Sequence, residues 1–442
     1  IKQKHLPNNL FQTFQDKEEI YMTQKLFTKN FILLILGQVT SLFGNYILRL
    51  ALSMYVLELT GSATIFAGIL SIAIIPTILL SPFGGILADR ANRRNIMVAL
   101  DTLTGISVLC TAIFLSENNA VTTIGILLII LSILGAFETP TVQACIPTML
   151  TGDNITKGNA VVNQVASLSY LIAPMLGGIM YSILGLKPVM YASIVCFFIT
   201  ALFECFIKLS YQRPNKNGNM FSIIKEDFVS SMHYISKEQT GILKMLLLTS
   251  LSRFFVMGIT VVGLPYIVRT ILGLNAKYYG AAESTLAIAT ILGSIAAGLL
   301  TGKLKTRKLS LILSALGVFI IPAGIAFILP VNTITKYIIN IISFSGMQIA
   351  VSIFSIFAVS LIQQKTPNHL IGKIMAYTST ITLCVQPIGQ IVYGFLFDNF
   401  NNTIYFVLIP TGIIVCIIGL LCTTFFRNLE EQINLEHNTE HK

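Results

Sequence analysis

The strongest constraint in this sequence is a succession of long apolar stretches separated by short polar breaks. A helix needs about 20 mostly apolar residues to cross the hydrocarbon core of a bilayer. Only 11% of the 442 residues are charged, and a soluble domain carries about 25%, so water cannot be the solvent for most of the surface. The sequence therefore predicts an all-α integral membrane protein. We place twelve transmembrane spans at about 30–57, 63–87, 95–115, 121–144, 160–184, 189–208, 242–272, 277–301, 309–329, 334–362, 373–395 and 402–426.

The longest polar break divides the twelve spans into six and six. The chain before the first apolar run is also polar, and we expect residues up to about 21, which precede Met22, to be a disordered upstream extension. The predicted segments are a polar N-terminal extension (1–29), an N-terminal six-helix bundle (30–209), a cytoplasmic linker (210–241), a C-terminal six-helix bundle (242–426) and a polar C-terminal tail (427–442).

The two halves repeat each other's local sequence. Span 2 ends in a double glycine followed by a short basic loop, and span 8 ends in Gly298 and Gly302 before another basic loop. Span 5 contains Pro174 followed by a glycine pair, and span 11 contains Pro387 followed by Gly389. Spans that match six positions apart indicate a parallel repeat about an axis normal to the membrane. We therefore expect two pseudo-symmetric six-helix bundles.

The basic residues define an orientation. Cytoplasmic loops of membrane proteins carry an excess of Lys and Arg. If the N-terminus is cytoplasmic, the outer loops hold only Lys187, Lys277 and Lys336 of the 29 basic residues, and all the others outside the spans lie inside. Both termini are therefore predicted to be cytoplasmic, and the protein is expected in the plasma membrane.

Several classes of function are disfavoured by the sequence. The net charge of +10 does not indicate nucleic-acid binding, because the basic residues occupy short breaks between spans and form no patch. The seven cysteines include no CxxC pair and lie in or beside apolar runs, so neither a metal site nor a disulfide is expected. A GxxxxGK[ST] phosphate loop is missing from the sequence, so we do not expect ATP to drive this protein. No catalytic constellation is evident, and the chain is predicted to be no enzyme.

The loop between spans 2 and 3 has a distinctive pattern. It combines Gly85, Asp89 and Arg90 with a following pair of arginines, Arg93 and Arg94. Glycine permits close helix approach, and an acid at a helix end can pair with an arginine or a helix N-terminus. This segment resembles the signature loop of the major facilitator superfamily. In that family the loop holds the two halves together on the cytoplasmic side, so the resemblance implies that these five residues form a conformational latch.

Further segments resemble the drug-efflux branch of that superfamily, which includes macrolide exporters. One is the turn Leu59-Thr60-Gly61-Ser62, and another is the stretch from Pro367 to Met375. The helix-bending motifs in spans 5 and 11 also resemble this branch. The resemblance implies a twelve-helix fold that works by alternating access. The residues of the two motifs are Pro174, Gly177, Gly178, Pro387 and Gly389.

Ionisable residues within spans are costly, and they usually face a cavity or a partner. In the family, helices 1, 4, 7 and 10 line the central cavity and helices 2, 5, 8 and 11 lie beside them. By that analogy Glu138 lies on a lining helix and Glu283 on a flanking one, and one of these two acids is expected to take up a proton when substrate leaves. A fixed ion pair, for example Arg49 with Glu283, is the alternative. We interpret Glu204 as an interfacial partner of Lys208. The candidate residues for a proton or substrate site are Arg49, Asp101, Glu138, Arg253 and Glu283.

The expected function is export of small amphipathic compounds such as antibiotics, driven by proton influx. The proton gradient is the energy source and no cofactor is expected. The expected partners are the substrate, protons and the lipid bilayer, and the protein is expected to act as a monomer. Three alternatives remain open: a lipid or lysophospholipid flippase, an uptake permease for a metabolite, and a membrane sensor or scaffold that transports nothing.

Overall fold

The computed structural model describes residues 26–209, 240–301, 303–367 and 370–440. Within these residues twelve helices are long and apolar enough to cross a membrane, as predicted. The predicted N-terminal extension lies almost wholly outside the described residues, and so does nearly all of the predicted linker. Gly302, Asn368 and His369, within the second basic loop and the Pro367–Met375 motif, are also outside them.

Within each half, consecutive helices are joined by short connections and alternate in direction. The six helices of the first half are α1 (Lys29–Thr60), α2 (Ala63–Arg90), α3 (Arg93–Phe114), α4 (Ala120–Met149), α5 (Asp153–Leu184) and α6 (Leu186–Cys205). The second half contains α7 (Thr240–Met257), α8 (Ala276–Leu300), α9 (Leu309–Ile328), α10 (Thr333–Gln364), α11 (Ile371–Asn399) and α12 (Tyr405–Leu421), followed by α13 (Thr423–Glu440).

The motif around Gly61 forms the turn between α1 and α2. Gly61 has φ of 61° and ends α1, a conformation that glycine adopts without the penalty of a Cβ. Ser62 caps α2, because its side chain accepts a hydrogen bond of 3.2 Å from the backbone N–H of Ile65. We call the end of the molecule that bears this turn the Gly61 end. The opposite end, with the turn between α2 and α3, is the Arg93 end.

Span 7 is irregular over its second half. Beyond Met257 it continues as two π-helical stretches, Gly258–Gly263 and Ile267–Ile271, with Pro265 between them. Proline has no backbone N–H and cannot complete the regular hydrogen-bond ladder. π-Helical turns occur frequently at functional sites. The irregular part of span 7 leads to the Gly61 end.

Helix packing repeats between the two halves. In the first half α1 packs on α5, α2 on α4, and α3 on both α4 and α6. In the second half α7 packs on α11, α8 on α10, and α9 on both α10 and α12. Each of these pairs therefore recurs six helices later, and the predicted parallel repeat is confirmed. The halves meet along two further pairs, α5 with α8 and α2 with α11.

The outer surface of the helices is apolar. Large side chains such as Leu79, Ile183, Leu299, Ile342 and Leu421 are more than 60% exposed. A water-soluble protein rarely exposes a continuous apolar surface of this size. Lipid provides a matching environment, and the helices satisfy their own backbone hydrogen bonds within it. The chain is thus a multi-pass membrane protein.

One local expectation differs from the structure. We expected close helix approach at Gly85, but a Cβ there would meet nothing within 4 Å. The contact is made by Gly84, where a Cβ would lie 3.2 Å from the Cα of Phe137 in α4. Most of the polar tail is the helix α13, whose Glu430 carboxylate accepts a hydrogen bond of 2.7 Å from the backbone N–H of Arg307.

Candidate functional site

Each half of the described structure contains a cavity large enough for a small molecule. The N-half cavity has a volume of about 550 Å³ and is lined by α1, α2, α4 and α5. The C-half cavity has a volume of about 500 Å³ and is lined by α7, α8, α10 and α11. The lining helices are the expected spans 1, 4, 7 and 10 with spans 2, 5, 8 and 11, but they line two cavities where the resemblance implied one central cavity. Both volumes are typical of small-molecule sites.

A carboxyl cluster borders the N-half cavity. Glu138 of α4 is among the lining residues. The Ser41 hydroxyl of α1 lies 2.9 Å from Oδ1 of Asp101 in α3 and 3.3 Å from Oε1 of Glu138. A hydroxyl carries one proton and can donate to only one of the two carboxylates at a time. Ser41 therefore connects an acid on the cavity wall with an acid behind it.

Glu204 of α6 belongs to the same cluster. Its carboxyl lies within hydrogen-bonding reach of Asp101, and its side chain packs on the backbone of Gly37 in α1. Asp101 and Glu204 are only 2% and 1% exposed. The expectation that Glu204 lies at the interface with Lys208 is therefore wrong. Sequence depth alone was misleading, because Glu204 is the residue before the last of α6 but faces the interior of the bundle.

One oxygen of each carboxyl in this pair has no N–H or hydroxyl donor among the described residues. These oxygens are Asp101 Oδ2 and Glu204 Oε2, and both are buried. Two such carboxylates cannot both carry a charge at low cost when they lie side by side. The arrangement favours a proton shared between Asp101 and Glu204.

Arg49 and Glu283 do not form the ion pair that was considered. The Arg49 Nε donates a hydrogen bond of 2.6 Å to the side-chain oxygen of Asn45, one turn earlier on α1, and Arg49 lines the N-half cavity. Glu283 of α8 instead accepts a hydrogen bond of 2.7 Å from the Tyr279 hydroxyl. Glu283 also lies outside the lining of both cavities, so the structure separates it from the other candidate acid, Glu138.

Arg253 lines the C-half cavity on α7. No acidic side chain is among the lining residues of that cavity. The two arginines predicted for a substrate site therefore lie in different cavities.

The two halves are joined at the Gly61 end by charged side chains that the sequence analysis did not single out. Arg269 of span 7 lies 3.0 Å from the Glu58 carboxylate of α1, and the Tyr181 hydroxyl of α5 donates to the same carboxylate at 2.7 Å. Asp398 of α11 accepts hydrogen bonds from the Ser62 hydroxyl at 2.6 Å and from the backbone N–H of Ala63 at 2.7 Å. The Asp398 contact also caps α2 from the opposite half.

The proline and glycine motifs lie at the two interfaces between the halves. A Cβ on Gly178 would lie 3.2 Å from Lys277 Cα in α8, and one on Gly280 would lie 3.2 Å from Met175 Cα in α5. Two helices can approach this closely only without side chains at the crossing. The same α5 motif contributes Pro174, adjacent to Met175, and Gly177, which faces Ile47 of α1.

The motif of α11 is equally close to its neighbours. A Cβ on Gly389 would lie 3.1 Å from the Phe254 Cα of α7. The Pro387 carbonyl accepts a hydrogen bond of 3.1 Å from the Ser71 hydroxyl of α2. Pro387 and Gly389 thus contact both halves.

The loop between α2 and α3 is fastened within the first half. The Arg93 guanidinium donates to the carbonyls of Ala88 and Ala144 at 2.8 and 2.9 Å, and Arg94 donates to the carbonyl of Cys205. Arg93 thereby ties the end of α2 to the end of α4. The side chain of Asp89, the acid of the predicted latch, lies outside the described part of the structure. A latch function for Gly85, Asp89, Arg90, Arg93 and Arg94 stays a prediction.

The arrangement offers acid–base groups and hydrogen-bonding cavities, and it does not resemble a metal centre. Within the described residues, no group of three or more His, Cys, Asp and Glu side chains is arranged to hold a metal ion.

Comparison with known proteins decides the family. The model of the family described as Major Facilitator Superfamily matches residues 34–389. This chain belongs to the Major Facilitator Superfamily. It is therefore a membrane transporter and not an enzyme, and the superfamily expected from the loop between spans 2 and 3 is confirmed.

Two relatives are similar over most of the chain. Macrolide efflux protein A of Streptococcus pyogenes is 25% identical over 391 residues, which cover 87% of this chain and 93% of the relative. Multidrug efflux pump Tap of Mycolicibacterium fortuitum is 22% identical over 382 residues, which cover 83% of this chain and 89% of the relative. Both relatives are named for efflux, in agreement with the resemblance to the drug-efflux branch.

Solved structures support the fold. A POT peptide transporter superposes with a TM-score of 0.72 at 15% identity, over 91% of this chain and 95% of that one. A D-xylose-proton symporter gives a TM-score of 0.67 at 15% identity, over 88% and 96% of the two chains.

Proposed function

We propose that this protein is a monomeric plasma-membrane exporter that exchanges small amphipathic compounds for protons by alternating access. The observation that carries the proposal is the carboxyl cluster of Asp101, Glu138 and Glu204 at the wall of a small-molecule cavity. Ionisable groups inside a membrane protein mark ion pathways more often than they mark stability. Here the acids and a cavity of suitable size occupy the same half of the molecule.

The positions of the cavities and of the contacts between the halves support alternating access. The halves are fastened at the Gly61 end by the Glu58–Arg269 and Asp398–Ser62 contacts. The N-half cavity extends to Asn159, near the start of α5 at the Arg93 end. If the Gly61 end faces the exterior, as the distribution of basic residues indicates, a compound enters from the cytoplasm in this conformation. Release requires the Gly61 end to open and the Arg93 end to close.

The loop from Gly85 to Arg94 is the proposed latch of the second conformation. Arg93 already fixes the loop to α4, so the loop moves as one body with the first half. Its acid, Asp89, would then meet the second half when the Arg93 end closes. A contact of this kind is present at the opposite end, where the acid Asp398 of the second half caps the N-terminus of α2 in the first half.

Proton exchange is proposed to run through Ser41. Glu138 faces the cavity, and Asp101 and Glu204 lie behind it away from water. A proton taken up by Glu138 can pass to the Ser41 oxygen while the Ser41 hydroxyl proton moves to Asp101. The net result is one proton moved from the cavity to the buried pair. A cationic compound that binds at Glu138 would stabilise the deprotonated carboxylate, so its binding would favour loss of the proton from Glu138.

The relatives support export as the direction and drug-like compounds as the cargo. Macrolide efflux protein A and multidrug efflux pump Tap are named for efflux. Their similarity extends over more than four fifths of this chain. The outward direction of transport and the amphipathic substrate are proposals on this basis.

Proton release from inside-out membrane vesicles tests the proposal. A pH-sensitive dye in vesicles that hold a proton gradient reports release when macrolides, lincosamides or dye cations are added. We expect release with at least one compound from wild-type vesicles and none from Glu138→Gln. Glu117→Gln, at an exposed loop site, is the matched control and should behave as wild type. Equal release from vesicles without the protein, or no response to any compound with folded protein present, would overturn the proposal.

A further inference from the structure

The C-half cavity has a composition that the proposed efflux of generic amphipathic compounds does not explain. Nine of its lining residues are Ser or Thr, and its one lining charge is Arg253. A cavity for purely lipophilic cations needs neither a fixed positive charge nor so many hydroxyls. The N-half cavity, by contrast, contains both Arg49 and Glu138.

The Arg253 guanidinium has no partner within the described chain. It forms no hydrogen bond, and the ion pair found among the described residues joins Arg269 and Glu58 instead. The residue is exposed to the cavity. A guanidinium presents five N–H donors in a planar fork, a geometry that matches a carboxylate or a phosphate. An arginine held in a membrane protein without an acid beside it therefore points to a ligand as its counterion.

The hydroxyl groups of the lining fall into two sets. Thr249, Ser252, Thr290, Ser294, Thr378 and Thr382 donate to carbonyls on their own helices. Each of these six hydroxyls already donates its proton to a backbone carbonyl. They contribute polarity to the wall but cannot donate to a ligand without giving up the existing bond.

The second set keeps its donors available. Gln348, Ser352 and Ser355 make no hydrogen bond with the described chain, and Ser379 of α11 makes none either. Gln348, Ser352 and Ser355 are spaced i, i+4 and i+7 on α10, so they share one face of that helix. The free donors of α10 and α11 and the guanidinium of α7 thus line the same cavity. Three helices supply donors there, and no acidic side chain competes for them.

We propose that the C-half cavity is a subsite for an anionic group, so that the preferred cargo is an amphipathic compound bearing a carboxylate or a phosphate. Arg253 pairs with the anion, and Gln348, Ser352, Ser355 and Ser379 donate to its remaining oxygens. Apolar lining residues such as Val256, Met257 and Met375 receive the adjoining apolar part. The substrate class deepens the proposed export function and rests on it.

The arrangement also predicts what is rejected. A lipophilic cation without an acidic group would place its charge beside Arg253 with no lining acid to offset the repulsion. Such a compound would bind in the N-half cavity, where Glu138 is available. A zwitterion could use both cavities, with its cation at Glu138 and its anion at Arg253.

Binding of a matched pair of fluorescent ligands tests the subsite. The full chain is placed in lipid nanodiscs and titrated with N-dansyl-phenylalanine, an amphipathic carboxylate, and with its neutral carboxamide. We expect the wild type to bind the carboxylate about tenfold more tightly, a typical effect of a charge-assisted hydrogen bond. Arg253→Gln should reduce carboxylate binding to the level of the carboxamide, while Arg253→Lys should keep part of the preference.

Two further variants keep the test decisive. Arg427→Gln removes one positive charge from the exposed face of α13 and should leave both affinities unchanged. Gln348→Met removes one donor from α10 and should weaken carboxylate binding alone, which provides a second route if Arg253→Gln fails to fold. A wild type without the carboxylate preference, a preference that survives Arg253→Gln, or failure to bind either ligand would overturn the subsite.

Export is measured on the same preparations so that the two proposals fail separately. Macrolide export that persists in proteoliposomes while the carboxylate preference is missing would overturn only the anionic subsite. Loss of all export with an Arg253-dependent carboxylate preference intact would instead overturn the export function and retain the subsite.

Discussion

Arg269 and Glu58 form an ion pair of 3.0 Å that joins the second half of the molecule to the first. Tyr181 adds a hydrogen bond of 2.7 Å to the same carboxylate. The three side chains come from span 7, α1 and α5, and they meet at the Gly61 end. The proposed export cycle requires this contact to break each time the Gly61 end opens.

Removing the charge of Glu58 should shift the protein toward the open Gly61 end. A partly exposed ion pair contributes about 1 kcal/mol or less, so Glu58→Gln is expected to change the ratio of open to closed molecules by up to about fivefold. Spin labels at Asn118 and Pro330 lie in loops of the two halves at this end. In a variant without the native cysteines, double electron–electron resonance would measure the distance between the two labels. An unchanged distance distribution would show that the ion pair does not hold this end closed.

Asp398→Ala should have a larger effect at the same end. The carboxylate accepts from the Ser62 hydroxyl and from the backbone N–H groups of Ala63 and Thr64. Loss of a helix cap costs about 1–2 kcal/mol, and here the cap also joins the two halves. The spin-label distances should therefore lengthen more than in Glu58→Gln. Equal or smaller lengthening would mean that the Asp398 cap matters little for closure.

The close crossing of α5 and α8 predicts opposite effects for two glycines of one helix. A Cβ on Gly280 would lie 3.0 Å from the carbonyl carbon of Pro174, whereas one on Gly298 would meet nothing within 4 Å. Gly280→Ala should lower the free energy of unfolding by about 1–3 kcal/mol through overpacking. Gly298→Ala should raise it slightly, by up to about 1 kcal/mol, because alanine favours the helix. Thermal unfolding of the two purified variants distinguishes them, and equal shifts would contradict the crossing.

Glu204 is predicted to be needed for proton coupling although it lies outside the cavity lining. It adjoins Asp101 and is 1% exposed. Glu204→Gln should reduce substrate-dependent proton release about a hundredfold, the lower range for a positioned proton-transfer group. Lys208→Gln is the control, because a surface pair between Glu204 and Lys208 would make both variants equally harmful. Normal proton release from Glu204→Gln would remove this residue from the pathway.

The fold could be predicted from the sequence because the bilayer imposes a length and a composition on each span. The repeat was visible in Pro174 and Pro387, which occupy matching places in α5 and α11. Helix ends were less predictable: α6 ends at Cys205 and the tail forms α13. Both differences arise near the membrane surface, where apolar and polar residues mix and hydropathy no longer marks an end.

The site was predictable only in part, for a physical reason. Sequence position gives the depth of a residue but not the direction of its side chain. Arg49, Glu138 and Arg253 were placed on cavity-lining helices, and each lines a cavity. Glu204 was assigned to the surface by depth alone, yet it faces Asp101. Glu283 pairs with Tyr279 on its own helix, a contact that only the side-chain rotamers could reveal.

Proton-coupled export is tested most directly with the purified protein in proteoliposomes. A pH gradient, acidic inside, is imposed on vesicles, and accumulation of a labelled macrolide and internal pH are followed together. The account predicts that the compound accumulates only when the gradient is present and that the internal pH rises as it enters. Both effects should be lost in Glu138→Gln. Accumulation that is equal with and without the gradient, or that leaves the internal pH unchanged, would contradict proton exchange as the driving reaction.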